Sequence, residues 1–219
     1  MGQRFLCFAW ITATLLGLAA CGSGEASPRV GDISPLVQEA KAALDESRPD
    51  LAIEKLEQAL KEDRKSVQAH FVLGNAYAQK AQFRQAEEEF MEVLRLDQDN
   101  ADARSNLGVI YYRQGRLKEA EEVLRAAIAL QKDDAEMHYN LGGVLAALNE
   151  LDGAVSEFIK AKEIDPWLPE PYLGLGSVYK LQGKRDEAVA VLEEYLRRSK
   201  DPTWRRQAEQ MLRELEEAR

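Results

Sequence analysis

Leu107-Gly108-Val109-Ile110-Tyr111, followed nine residues on by Ala120-Glu121-Glu122-Val123-Leu124, decides how this chain folds, because both segments recur at one interval. Leu-Gly stands at Leu73-Gly74, Leu107-Gly108, Leu141-Gly142 and Leu175-Gly176, always 34 residues apart. A larger side chain follows at Tyr77, Tyr111, Leu145 and Tyr179, and a small one at Ala86, Ala120, Ala154 and Ala188. Phe90, Leu124, Phe158 and Leu192 complete the set at the same interval. One interval earlier, Ala40, Ala52 and Leu56 form a worn copy with alanine in the glycine slot. Self-similarity at a fixed period marks a repeat architecture, in which each unit buries its apolar face only against its neighbours. Five units follow: about 34–66, 67–100, 101–134, 135–168 and 169–202.

The residues between the markers favour helix. Ala, Glu, Leu, Lys and Arg predominate there, and these side chains lose little rotamer freedom in a helix. Gly74 and Ala86 are expected on facing helices, where bulk would push the axes beyond about 8–10 Å. Tyr77 and Phe90 would fill the space beside them. Gly115 and Gly183, four residues past their tyrosines, suit a left-handed turn at the end of a helix, and Asn149 takes that place in the fourth unit. Ser34-Pro35 reads as a start signal, a capping residue before a proline. Past Pro202 the interval stops. Trp204, Ala208, Met211 and Leu215 then fall on one helical face, so 203–219 is expected to close the stack as a one-sided helix.

This pattern resembles the tetratricopeptide repeat, with its Leu-Gly, a Tyr three residues later, Ala-x-x-x-Phe and a closing proline. Pro166 is the one closing proline in the family position; Gln98, Lys132 and Lys200 stand there elsewhere. The resemblance implies an all-α fold, a solenoid of five helical hairpins with a C-terminal capping helix. It also implies a right-handed superhelix whose concave side, lined by the first helix of each hairpin, holds an extended peptide or a helix of a protein client.

On that implication the groove slots fall by period. They include Phe71 and Asn75 in the second unit, and Asn106, Val109, Tyr112 and Arg113 in the third. The fourth contributes Tyr139, Asn140 and Gly143, and the fifth Leu173, Gly174 and Ser177. Asn106 and Asn140 are equivalent, and Asn75 should lie beside Asn106. A side-chain amide offers both a donor and an acceptor, so such a ladder can pair with a client's backbone whatever its sequence. Glycine inside a helix costs about 1 kcal/mol relative to alanine. Gly143 and Gly174 therefore either let the last two repeats pack closer or open a hollow flanked by Tyr139, Asn140, Leu173 and Ser177. The family's clamp for a terminal carboxylate needs basic residues where this chain has Phe71, Glu136 and Asn140, so that clamp is not expected.

The N-terminus carries a different message. Met1 to Arg4 is a short positive start, and residues 5–20 hold no charge. Sixteen residues fall short of the ~20 that cross ~30 Å of hydrocarbon. A positive start, a short apolar stretch and small residues before a break describe a secretory signal over 1–20. Leu18-Ala19-Ala20-Cys21 resembles the lipobox of bacterial lipoproteins, whose cysteine becomes the acylated first residue of the mature chain. The resemblance implies palmitate-type acylation of Cys21 and attachment to the membrane through that lipid. Gly22 stands where lipoproteins kept at the inner membrane tend to carry Asp, which points to the outer membrane of the bacterial envelope, facing the periplasm. Residues 21–33, rich in Gly, Ser and Pro, read as a tether with a reach near 20 Å, at about 5–6 Å × √n.

Composition excludes several function classes. The chain has 219 residues, with 38 acidic against 29 basic and a net charge of −9. Nucleic-acid readers carry a basic face, and no window here is basic, so no nucleic-acid partner is expected. Two cysteines build no disulfide framework. His70 and His138 occupy the same slot two repeats apart, too far to share a metal. Gly142-Gly143 and Gly174-x-Gly176 fall inside helices, so they make no phosphate loop. Glu87-Glu88-Glu89 reads as a solvated helix face. No catalytic residue, metal or cofactor is expected. A lipid-anchored adaptor remains. By resemblance it would assist assembly of an outer-membrane secretin, type IV pilus or secretion machine, as pilotins do. The alternative is a scaffold docking peptidoglycan hydrolases or other cell-wall enzymes.

Overall fold

A computed structural model describes residues 34–217; the expected signal, Cys21 and the tether lie outside them. Among the described residues the chain is a run of helices: Pro35–Asp45 (α1), Pro49–Glu62 (α2), Val67–Gln79 (α3), Phe83–Leu96 (α4), Ala101–Arg113 (α5), Leu117–Leu130 (α6), Ala135–Ala147 (α7), Leu151–Ile164 (α8), Glu170–Leu181 (α9), Arg185–Arg198 (α10) and Pro202–Glu217 (α11). The first ten pair into five hairpins and α11 packs on α10. The fold is an all-α tetratricopeptide-like solenoid.

The helix starts follow the same interval. Ser66, Asn100 and Asp134 each accept the backbone N–H three residues on, from Ala69 (3.3 Å), Ala103 (2.9 Å) and Met137 (2.9 Å). Such caps satisfy one of the orphan donors of a first turn. Ser34 does not behave as expected: its side chain makes no capping bond, and α1 starts on the fixed φ of Pro35. In the fifth hairpin the slot is Leu168, and α9 opens after Pro169 without a side-chain cap.

The hairpin turns repeat as well. Ser47, Ala81, Gly115, Asn149 and Gly183 have φ of 57°, 56°, 77°, 62° and 72°. The next residue reaches back five positions each time, for example Gln82 N–H to the Tyr77 carbonyl (2.9 Å) and Arg116 N–H to that of Tyr111 (2.9 Å). This is the closure that a left-handed residue makes possible. Ala81 pays for its Cβ there, because a left-handed L-residue is strained by about 1–2 kcal/mol. Ala81→Gly should therefore raise the melting temperature, by about 1 kcal/mol in stability; an unchanged thermal unfolding curve would contradict the strain.

Gly74 and Ala86 lie on the paired helices α3 and α4, as expected, and the residue that the glycine seats is Phe90: a Cβ on Gly74 would fall 2.7 Å from its ring. Gly108, Gly142 and Gly176 meet Leu124, Phe158 and Leu192 in the same way, at 2.5, 2.6 and 3.0 Å. Each first-helix glycine thus seats the large residue sixteen positions on. The alanines one turn earlier, Ala86, Ala120, Ala154 and Ala188, are fully buried. Phe158 has a second seat, since a Cβ on Gly174 of the next hairpin would lie 2.8 Å from it.

Polar ties join successive hairpins. The acidic run is not a solvated face: Glu88 is exposed, whereas Glu87 and Glu89 are largely covered by partners. Glu87 accepts from Arg116 (2.8 Å) and Gln114 (3.0 Å) of the next hairpin, and Arg116 stacks 4.0 Å over the Tyr111 ring. Burial pushes the Glu87 carboxyl up, but the Arg116 and Gln114 hydrogen bonds together outweigh it and hold it below the usual range. A depressed carboxylate lends its stability at neutral pH, and that share is lost as pH falls through the folded pKa.

α11 closes the stack. Ala208 and Leu215 are buried, with Trp204, Met211 and Leu212 packed beside them. Arg185 Nε donates to the Leu215 carbonyl (2.7 Å), and Lys180 pairs with Glu214 (2.9 Å). Truncation after Pro202 should expose apolar surface and cause self-association. Light scattering of the truncated chain would show it; a monomer with unchanged melting temperature would contradict the capping role.

Candidate functional site

The face formed by α3, α5, α7 and α9 brings most of the expected groove residues together. Asn106 Nδ2 donates to Asn75 Oδ1 at 3.0 Å, joining two hairpins. Asn140, one repeat on, makes no side-chain hydrogen bond among the described residues, because its neighbour in the Asn75 row is Val109. Phe71 is half-buried and meets the Phe90 ring edge-on at 5.9 Å. Beyond Asn140 a hollow of about 290 Å³ opens at Gly143. Buried Leu124 and Val144 with half-buried Val109 give it an apolar interior, while Tyr112, Tyr139 and Arg113 stand around it. Tyr112 is 41% exposed. Tyr139 lies 5.7 Å from the Phe158 ring; burial pushes its hydroxyl pKa up and Glu170 and Tyr112 add to this, against Arg113. On the other side of Asn140 a second depression of about 250 Å³ is bordered by Phe71, Asp102, Asn106 and Glu136.

The fifth hairpin does not take the place expected of it. Leu173 is a core residue, 7% exposed, and Gly174 is occupied by its contact with Phe158; Ser177 is exposed but does not border the hollow. Close packing therefore explains Gly174, and open space surrounds Gly143, where a Cβ would meet nothing within 4 Å. The hollow lies between the third and fourth hairpins rather than the fourth and fifth.

Sequence comparison now bears on the repeat. The tetratricopeptide-repeat profiles of the family match residues 43–99, 73–135, 118–166 and 172–203. The chain belongs to the tetratricopeptide-repeat family. No curated protein matches it in sequence. Among solved structures it is similar to MamA, with 28% identity and a TM-score of 0.64 over 72% of this chain and 92% of that one. It is similar to YrrB, described as a tetratricopeptide-repeat protein with an unusual peptide-binding site, at 25% identity and a TM-score of 0.62, covering 82% of this chain and 92% of that one. The PilF protein of Pseudomonas aeruginosa shares the fold at 20% identity and a TM-score of 0.70, over 82% and 86% of the two chains. A tetratricopeptide scaffold of this kind is suited to holding other proteins.

Sequence reasoning missed what the tetratricopeptide histidines do. His70 Nδ1 lies 2.6 Å from Glu89 Oε2 and its Nε2 3.2 Å from the Arg64 carbonyl. His138 repeats this with Glu157 Oε2 (2.6 Å) and the Lys132 carbonyl (3.0 Å). Each histidine ties the two helices of its hairpin to the preceding loop. The signal was present, since Glu89 and Glu157 are also two intervals apart. A cleft of about 450 Å³ opens beside His138, and Arg125, Glu157 and Lys160 along it are already paired. Among the described residues no group of three or more His, Cys, Asp or Glu could hold a metal ion.

Proposed function

We propose that this chain is a lipid-anchored adaptor of the bacterial envelope, tethered through Cys21, with an extended segment of a protein client held along the α3–α9 face. The observation that carries the binding half is the asparagine row. Asn106 donates to Asn75, while Asn140 presents an amide with no partner, open to a ligand backbone. Asn140 is half-buried, so its amide can reach a ligand from the groove, and a bond to it contributes about 0.5–1.5 kcal/mol net. The adaptor works by grip alone and catalyses nothing. The lipobox and Gly22 support attachment at the outer membrane, facing the periplasm. The size and repeat count favour a role in assembling a secretin, type IV pilus or secretion machine.

Both halves are open to test. Metabolic labelling with a palmitate analogue should mark the parent protein and leave Cys21→Ser unlabelled; a labelled Ser variant would contradict the anchor. Asn140→Ala should weaken client binding by about 0.5–1.5 kcal/mol without changing stability, because no internal bond is lost. Undiminished binding by this variant would contradict the asparagine row.

A further inference from the structure

Packing leaves Gly143 unexplained. It lies inside α7, where glycine weakens a helix relative to alanine. Its neighbour Gly142 must stay small for Phe158, and so must Gly174. A Cβ on Gly143 would meet nothing within 4 Å, and the equivalent slots in other hairpins hold Asn75, Val109 and Ser177. The missing side chain gives the hollow its entrance. At about 290 Å³, with apolar Leu124, Val109 and Val144 inside, it has room for one large side chain. Tyr112 and Tyr139 offer rings for offset or edge-on contact with an aromatic guest.

Arg113 supplies the second observation. On α3, α5, α7 and α9 the other basic side chains are engaged: His70 with Glu89, Arg104 with the Gln98 carbonyl, His138 with Glu157, and Lys180 with Glu214. Arg113 borders the hollow and has no acceptor among the described residues. A guanidinium matches the planar fork of a carboxylate better than any other cation. Across Asn140, Asp102 and Glu136 also lack ion pairs and would repel a second carboxylate there.

We propose that the hollow at Gly143 is a specificity subsite for one aromatic side chain of the client, with a client carboxylate two residues away pairing with Arg113. This rests on the groove holding an extended segment. In such a segment, residues two apart point to the same face, which sets the spacing between ring and carboxylate. Asn140, shared by the hollow and the neighbouring depression, holds the backbone between them.

The test uses fluorescent nonapeptides of Ala and Ser, acetylated and amidated so that no terminal charge contributes. They carry Phe-Ala-Asp or Asp-Ala-Phe at the centre, and are compared with Phe→Ala and Asp→Lys counterparts by anisotropy titration. With the purified full chain, one of the two orders should bind at least tenfold more tightly than its counterparts. Gly143→Leu should abolish the preference for Phe while keeping its helicity and melting no lower than the parent. Arg113→Glu should reverse the preference, so that the Lys peptide binds better than the Asp peptide. Gly143→Ala, a smaller change, should melt higher and keep part of the preference. Binding that is weakened by Asn140→Ala yet indifferent to Phe overturns the subsite and leaves the groove standing. Binding of no peptide overturns both, and Gly143→Leu binding like the parent overturns the subsite outright.

Discussion

Phe158→Ala should destabilise the fold by about 3–5 kcal/mol, the range for removing a buried aromatic ring that its surroundings cannot replace. The ring is 3% exposed and held from two hairpins, against Gly142 at 2.6 Å and Gly174 at 2.8 Å from the positions their Cβ atoms would take, with Tyr139 beside it. Collapse into the void is hindered because both glycines sit on regular helices. The same geometry predicts opposite signs for two adjacent substitutions. Gly142→Ala gains about 1 kcal/mol of helix propensity but drives its methyl into the ring, an overpacking cost of about 1–3 kcal/mol. Gly143→Ala gains the propensity with nothing in its way. Thermal melts of the three variants should therefore rank Gly143→Ala above the parent, Gly142→Ala below it and Phe158→Ala lowest. A Gly142→Ala variant as stable as Gly143→Ala would contradict the seat.

His138→Ala should cost about 3 kcal/mol, at the lower end of what breaking a buried pair costs. It strands Glu157, 9% exposed, whose remaining partner is Lys160 at 3.4 Å. It also frees the Lys132 carbonyl. His70→Ala, the same change two repeats earlier, should cost less, because Glu89 is more exposed there and water can replace the ring. Denaturant titrations of the two variants would check the order; equal losses would mean that burial does not set the strength of these ties.

Much of this architecture was legible because a solenoid writes its contacts into the chain at a fixed interval. Leu-Gly, the buried alanines and the turn residues Gly115, Asn149 and Gly183 could be read without coordinates. What could not be read was which residue a glycine serves. Gly74 and Phe90 lie sixteen positions apart on two helices, and only the packed hairpin shows that the ring lies on the glycine. The groove was harder still. The interval gives slots, not depths, so it assigns Leu173 to the groove although its side chain is buried in the core. Gly143 and Gly174 looked alike in sequence. They part because Phe158 reaches Gly174 across the hairpin boundary, whereas a Cβ on Gly143 would meet nothing within 4 Å. The histidine–glutamate ties fell between these cases: their interval was visible, but a run of three glutamates hid which member turned inward.

The central claim is that the face of α3, α5, α7 and α9 holds the client. Site-specific photocrosslinking in cells tests it most directly, with benzoylphenylalanine placed either at Tyr112, beside the hollow, or at Leu130, 46% exposed at the end of α6. A discrete covalent adduct formed from position 112, reduced in yield on adding Asn140→Ala and absent from position 130, is the predicted result. An adduct formed from position 130 and not from 112 would place the client on another surface and contradict the account.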